Sequence, residues 1–155
     1  MAVTSKYYGL GMKSLIDRTF AGTTPGGALT AMLVDSTYTP DQDTHQFITD
    51  VTGFTTPSPE DSVAGGTGYS AGGLALTFSS AYTTGTNTLT LSATANPSWA
   101  ASTFTARFLI FFVDTGTPAT SPLISYVDFD TDQSPVAQTF EYQIPGTGIA
   151  QFVAA

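Results

Sequence analysis

The chain has 155 residues, no cysteine and a formal net charge of −8, with only 10% charged residues against a globular norm of about 25%. That length suits one domain with a core of its own, and the missing cysteines exclude a disulfide framework and a thiolate metal site. The acidity works against a phosphate backbone as partner. No apolar run is long enough for a membrane, and the polar, glycine-broken start does not read as a signal peptide.

Ser5 to Phe20 predicts a helix, with Tyr7, Leu10, Leu15, Ile16 and Phe20 as a partial apolar face. Ser5 is placed to cap it. Gly9 and Gly11 weaken its first half by about 1 kcal/mol each against alanine. The segment AGTTPGG, Ala21 to Gly27, stops it. Residues 1–27 are thus expected to form an N-terminal helix or arm, and 28–155 a single domain. Ala28 to Asp35 predicts a first strand. Ser36 to Val51 is rich in turn residues, and Asp43 or Thr44 is placed to cap a short helix through Gln46, Phe47 and Ile48. Gly53 to Gly73 lacks periodicity and reads as a long functional or partner-ordered loop, with Tyr69 an aromatic knob between glycine clusters.

Strand signals then follow at even spacing. Leu74 to Ser79 and Leu89 to Thr94 both alternate apolar and polar. The stretch Trp99 to Asp114, WAASTFTARFLIFFVD, organises the rest. Its run Phe108 to Val113 has no polar break, as expected of a strand covered on both faces. Asn96-Pro97-Ser98 is a turn signal, so this strand is predicted to begin near Ala101. Leu123 to Asp130 alternates and pairs naturally with it. Phe140 to Ile144 and Ile149 to Val153 predict a hairpin around Pro145-Gly146-Thr147-Gly148. About seven strands after one helix predict a mainly β fold, an antiparallel, jelly-roll-like β-sandwich.

Few residues suggest chemistry. Asp41, Asp43 and His45 form D-x-D-x-H in the polar loop, where turn formation and capping are the stronger explanation. Asp128, Asp130 and Asp132 form D-x-D-x-D. On a strand they share one face, and their charges repel unless solvated or bridged by a cation. Gln133 and Thr139 stand where a calcium loop needs Gly and Glu, so no EF-hand is present. The three aspartates remain candidates for a surface calcium site, against a merely solvated strand end. No nucleophile elbow, phosphate loop or dinucleotide fingerprint occurs, and no cofactor is expected. The aromatics at strand spacing read as core, with a sugar-binding platform as the alternative. Lys6, Lys13 and Arg18 are three of the four cations, and every carboxylate but Asp17 lies beyond them. They read as an arm docking onto an acidic neighbour or as a solvated helix face. Candidate partner-binding residues are therefore Lys6, Lys13, Arg18 and Tyr69.

Several stretches taken in order resemble small virion structural proteins of tailed bacteriophages. They are YTPDQDTHQFITDV (Tyr38 to Val51), GTGYSAGG (Gly66 to Gly73), Trp99 with STFTARFLIFFVDTGTPATSPLISYVDFD (Ser102 to Asp130), and GTGI (Gly146 to Ile149). The resemblance implies a particle component without enzymatic activity. Within that class, size and charge favour a capsid decoration or cement protein on the major capsid protein, found in the virion after assembly in the host cytoplasm. Such proteins are often homotrimers. The alternative place is a tail or head-fibre module that adheres to a host surface or glycan.

Overall fold

The computed structural model describes residues 4–8, 28–52 and 59–153. The sheets are antiparallel, with ten strands, two short α-helices and one 3-10 turn, Pro118–Thr120, among the described residues. Strand β1 is Thr4–Tyr7, β2 Ala28–Val34, β3 Leu74–Leu76, β4 Phe78–Thr83 and β5 Thr88–Ala93. Strand β6 is Ser98–Ser102, β7 Ala106–Asp114, β8 Leu123–Gln133, β9 Gln138–Glu141 and β10 Ala150–Val153. Helices α1 and α2 are Thr49–Thr52 and Pro59–Ala64.

A five-stranded sheet in the order β1-β8-β7-β2-β3 forms the middle layer, with β7 in its centre. The unbroken apolar run of β7 buries both of its faces. Leu109, Phe111 and Val113 enter one core with Leu29, Ala31, Leu33, Val127 and Phe129. Phe108, Ile110 and Phe112 enter a second with Met32, Val34, Leu123 and Tyr126. The first core is covered by a three-stranded sheet, β10-β5-β4, and a two-stranded sheet, β6-β9, through Leu91, Ala150, Trp99 and Phe140. Tyr8, Tyr38, Ile48 and Val51 cover the second. The fold is thus a β-sandwich with a further layer of loop and short helix on its back.

Several expected elements differ. Where a helix was expected from Ser5, the chain runs as β1 and pairs with β8, Lys6 opposite Tyr126. Residues 9–27, with Lys13 and Arg18, lie outside the described residues. Strand β1, expected to lie in the N-terminal arm, belongs to the main sheet. Trp99 to Asp114 is two strands in different sheets, β6 and β7, parted at Thr103–Thr105. Leu74 to Ser79 likewise spans two sheets, breaking at Thr77. The two last strands form no hairpin, since β9 pairs with β6 and β10 with β5. The short helix starts at Thr49, later than expected, and Asp50 accepts the N–H groups of Gln46 and Phe47 at 2.7 and 2.8 Å. Helix α2 occupies part of the supposed loop; residues 53–58 lie outside the described residues.

The core makes a paired prediction. Phe111 is almost fully buried, so Phe111→Ala should cost about 3–5 kcal/mol. Ser125 is fully buried on β8 and its hydroxyl has no hydrogen-bond partner among the described residues. Ser125→Ala should therefore leave stability unchanged or raise it. Urea unfolding of both variants checks this; a loss above about 1 kcal/mol for Ser125→Ala would contradict it.

Candidate functional site

Three polar groupings stand out, and the fold gives each a definite setting. The first begins with Tyr69. Its side chain is 6% exposed, packed between Trp99 and Phe104 with ring centroids 6.0 and 6.2 Å away. It is not the exposed knob expected from its glycine neighbours. Those glycines let the backbone lie close against the sheets instead. A Cβ on Gly66 would meet the Thr103 carbonyl oxygen at 2.1 Å, and one on Gly73 the Ala31 oxygen at 2.5 Å. The loop so positioned aims the Tyr69 hydroxyl at β2. There it accepts the N–H of Leu33 at 3.1 Å and donates to Glu60 Oε1 at 2.6 Å. Glu60, buried on α2, also accepts the N–H of Gly72 at 2.7 Å. Burial, and then the negative charge of Glu60, push the Tyr69 phenol far above its ordinary range.

This arrangement completes the outer edge of β2. Strand β3 pairs with it only from Leu29 to Ala31. Tyr69 takes the N–H of Leu33, and Pro59 at the start of α2 takes that of Asp35 at 3.1 Å. A buried N–H left open costs about as much as a lost hydrogen bond, which explains a tyrosine here.

The second grouping is Asp128, Asp130 and Asp132. The β7–β8 ladder shifts register between Ala106 and Phe108, opposite these aspartates. Asp130 sits in that irregularity with φ of 67°. Asp128 Oδ1 accepts the N–H of Asp130 at 2.8 Å and the Arg107 Nε–H at 2.8 Å. Burial works against the charged form of Asp128. The Arg107 and Asp130 hydrogen bonds and the Arg107 charge outweigh it and hold the carboxyl below its usual range. The Arg107 guanidinium thus offsets the charge of Asp128. No group of three metal-ligating side chains comes together among the described residues.

The third is His45. Its Nδ1 lies 2.9 Å from the Tyr38 hydroxyl, which is 2.8 Å from that of fully buried Tyr8. The backbone N–H of Asp41 also points at Nδ1, at 3.3 Å, so that nitrogen is an acceptor and Tyr38 donates to it. Asp41 Oδ1 accepts the N–H groups of Asp43 and Thr44 at 2.9 and 3.1 Å, the turn-forming role expected of it. Hydrogen bonds from Thr44 and Asp43 lower its carboxyl pKa. This chain pins the 38–45 loop over the second core. The hydroxyl string was not legible beforehand, because Tyr8 and Tyr38 meet only once β1 is in the sheet.

Beyond these groups lies an open cleft of about 520 Å³, lined by Phe129, Gln133, Phe140, Glu141, Tyr142 and Gln143 among others. No helix among the described residues is long and apolar enough to cross a membrane. Comparison with protein-family models, with curated proteins and with solved structures finds no match.

Two outcomes are expected. Tyr69→Phe leaves the Leu33 N–H and Glu60 each short of a partner and should cost about 1–3 kcal/mol, read by thermal or urea unfolding. The folded pKa of Asp128 is lowered, so its stabilisation is present above the unfolded carboxylate value and fades as pH falls through the folded one. Stability should accordingly decline below a pH of about 4, and Asp128→Asn should shallow that decline. The pair is partly exposed, so the effect is small and shrinks further in high salt. Calcium or a chelator should leave the melting temperature where it is.

Proposed function

We propose that this chain is a non-enzymatic virion structural protein of a tailed bacteriophage, a capsid decoration protein bound in many copies to the outer shell. The ordered stretches that resemble that class support the reading, and in the fold they gather around β7. Tyr38 to Val51 supplies the cover of the second core. Gly66 to Gly73 lies against β6 and β2. Trp99 to Asp130 provides β6, β7 and most of β8.

The observation that carries the reading is the placement of charge. Tyr8 and Ala28 bracket the segment holding Lys13 and Arg18. Both stand at the end of the main sheet where β7 finishes: Tyr8 bonds Ile124 and Ala28 faces Asp114. Asp128, Asp130 and Asp132 lie toward the other end, by Thr4 and Ala106. Asp114, at the first end, has its carboxylate on the Gly116 N–H at 2.8 Å. Two cations between Tyr8 and Ala28, on a chain of net charge −8, suit docking onto an acidic shell, with many copies turning weak contacts into strong attachment. The partner is then the major capsid protein, and the protein itself a homotrimer.

Deleting the N-terminus is a poor test, since it removes β1 and the buried Tyr8. Charge reversal is better. Purified chain added to heads lacking it should coat them, and electron cryomicroscopy should show density at many symmetry-related outer positions. The double variant Lys13→Glu, Arg18→Glu should bind at least about tenfold more weakly, and wild-type binding should weaken with salt. Unchanged binding by the variant, or density confined to the tail, would overturn the reading.

A second reading, an adhesion module, is favoured by the cleft at Phe129, Phe140 and Tyr142. Rings beside Gln133, Glu141 and Gln143 are the mixture that holds sugars. Glycan binding lost in Tyr142→Ala, without loss of fold, would select it.

A further inference from the structure

The sheet of β4, β5 and β10 has two unlike faces. Its register places Phe78, Ser80 and Tyr82 of β4 on one face with Leu89, Leu91 and Ala93 of β5 and Ala150 and Phe152 of β10. Serine and threonine dominate the other face. The apolar face covers the first core only in part. Leu91 and Ala150 are buried there, and Ala93 and Phe152 pack against it. The outer row is bare: Phe78 is 51% exposed, Tyr82 59% and Leu89 37%. Elsewhere among the described residues, the exposed large apolar side chains are Val136 and Val153, the latter on the opposite face of this sheet. Strand β4 is moreover an edge, with no strand on its outer side among the described residues.

The row is held in place for contact. The Tyr82 hydroxyl donates to Asn87 Oδ1 at 3.1 Å, across the turn that joins β4 to β5. A fixed aromatic side chain loses little freedom on binding.

Charge identifies the occupant. From Ser62 to Ala106, and from Tyr142 to Ala155, the sequence contains no charged residue. These spans include all three strands. On a chain of net charge −8, most surfaces of two copies repel each other. This sheet does not, and it offers a charged partner neither an ion pair nor attraction. The surface that suits it is another neutral apolar one, and a second copy presents such a surface. We propose that this face, centred on Phe78, Tyr82 and Leu89, is where copies of the chain associate with one another. The proposal gives a surface to the self-association in the reading above. Its test uses no shell, so its failure would remove the self-association and leave shell binding to its own test.

The experiment is sedimentation equilibrium of the full chain across concentration and salt. The wild-type chain should associate reversibly, and more tightly as salt rises, because screening relieves repulsion between the bodies while apolar contact persists. Tyr82→Glu should weaken association by at least about tenfold. Thr83→Glu, on the opposite face of the same strand, should change it little. Tyr82→Ser, which removes the ring without adding charge, should also weaken association while retaining the wild-type melting temperature. A wild-type chain monomeric at every concentration would overturn the proposal, as would association weakened by salt, which would point to the basic segment. Equal association of Tyr82→Glu and wild type would overturn it too. So would a monomer that melts lower as Tyr82→Ser, because the face would then be covered by its own chain.

Discussion

The fold depends on one strand that cannot face water on either side. From Phe108 to Val113, β7 presents apolar groups in both directions, and both sets are buried. A strand of this kind requires two covers. The chain supplies a pair of small sheets for one face and the 38–51 loop with Tyr8 for the other. Apart from β6, the segments that cover β7 come from distant parts of the sequence, from Tyr8 to Phe152. Polar groups hold the fit: Tyr38, His45 and Tyr8 pin one cover, and Glu60, Tyr69 and Gly72 fix the Tyr69 loop against β2.

The same arrangement explains where the irregular residues sit. At the Ala106 end of the main sheet the β7–β8 ladder shifts register. Asp130 and Ala137 take left-handed backbone near the Ala106 end. Asp128 steadies the bend by accepting the Asp130 N–H while Arg107 neutralises it. Two of the three aspartates that suggest a metal site in the linear sequence, Asp128 and Asp130, serve a bulge in the fold. The Tyr69 loop is similar. Its glycines suggest mobility, but they permit close approach and carry a tyrosine into the core.

Legibility followed the range of the cause. Strands β2, β5, β7 and β8 were readable because their patterns report which faces are buried. The change of sheet at Thr77 was not, since Leu74, Leu76 and Phe78 keep one parity through the corner. The break before β7 was hidden differently. Phe104, Ala106 and Phe108 look like one face, but the register shift sends Phe108 to the second core and the other two to the first. The start of the chain was misread because a four-residue edge strand is set by its partner β8, with little local signal. Of the candidate site residues, Asp41 was legible as a turn former. Tyr69 was misplaced because burial of its ring depends on contacts far along the chain.

The uncharged sheet follows from the same economy of polar residues. A chain with so few charges can place them where they brace bends and edges, as at Asp50, Glu60 and Asp128. The layer that carries none is then left with threonine on one side and an uncovered apolar row on the other. In a solitary protein such a row is an aggregation hazard, and edge strands are usually defended by charge or proline. Strand β4 has neither. That omission is sensible if the row is covered in the working assembly by a copy of itself, while the acidic remainder of the surface prevents association anywhere else.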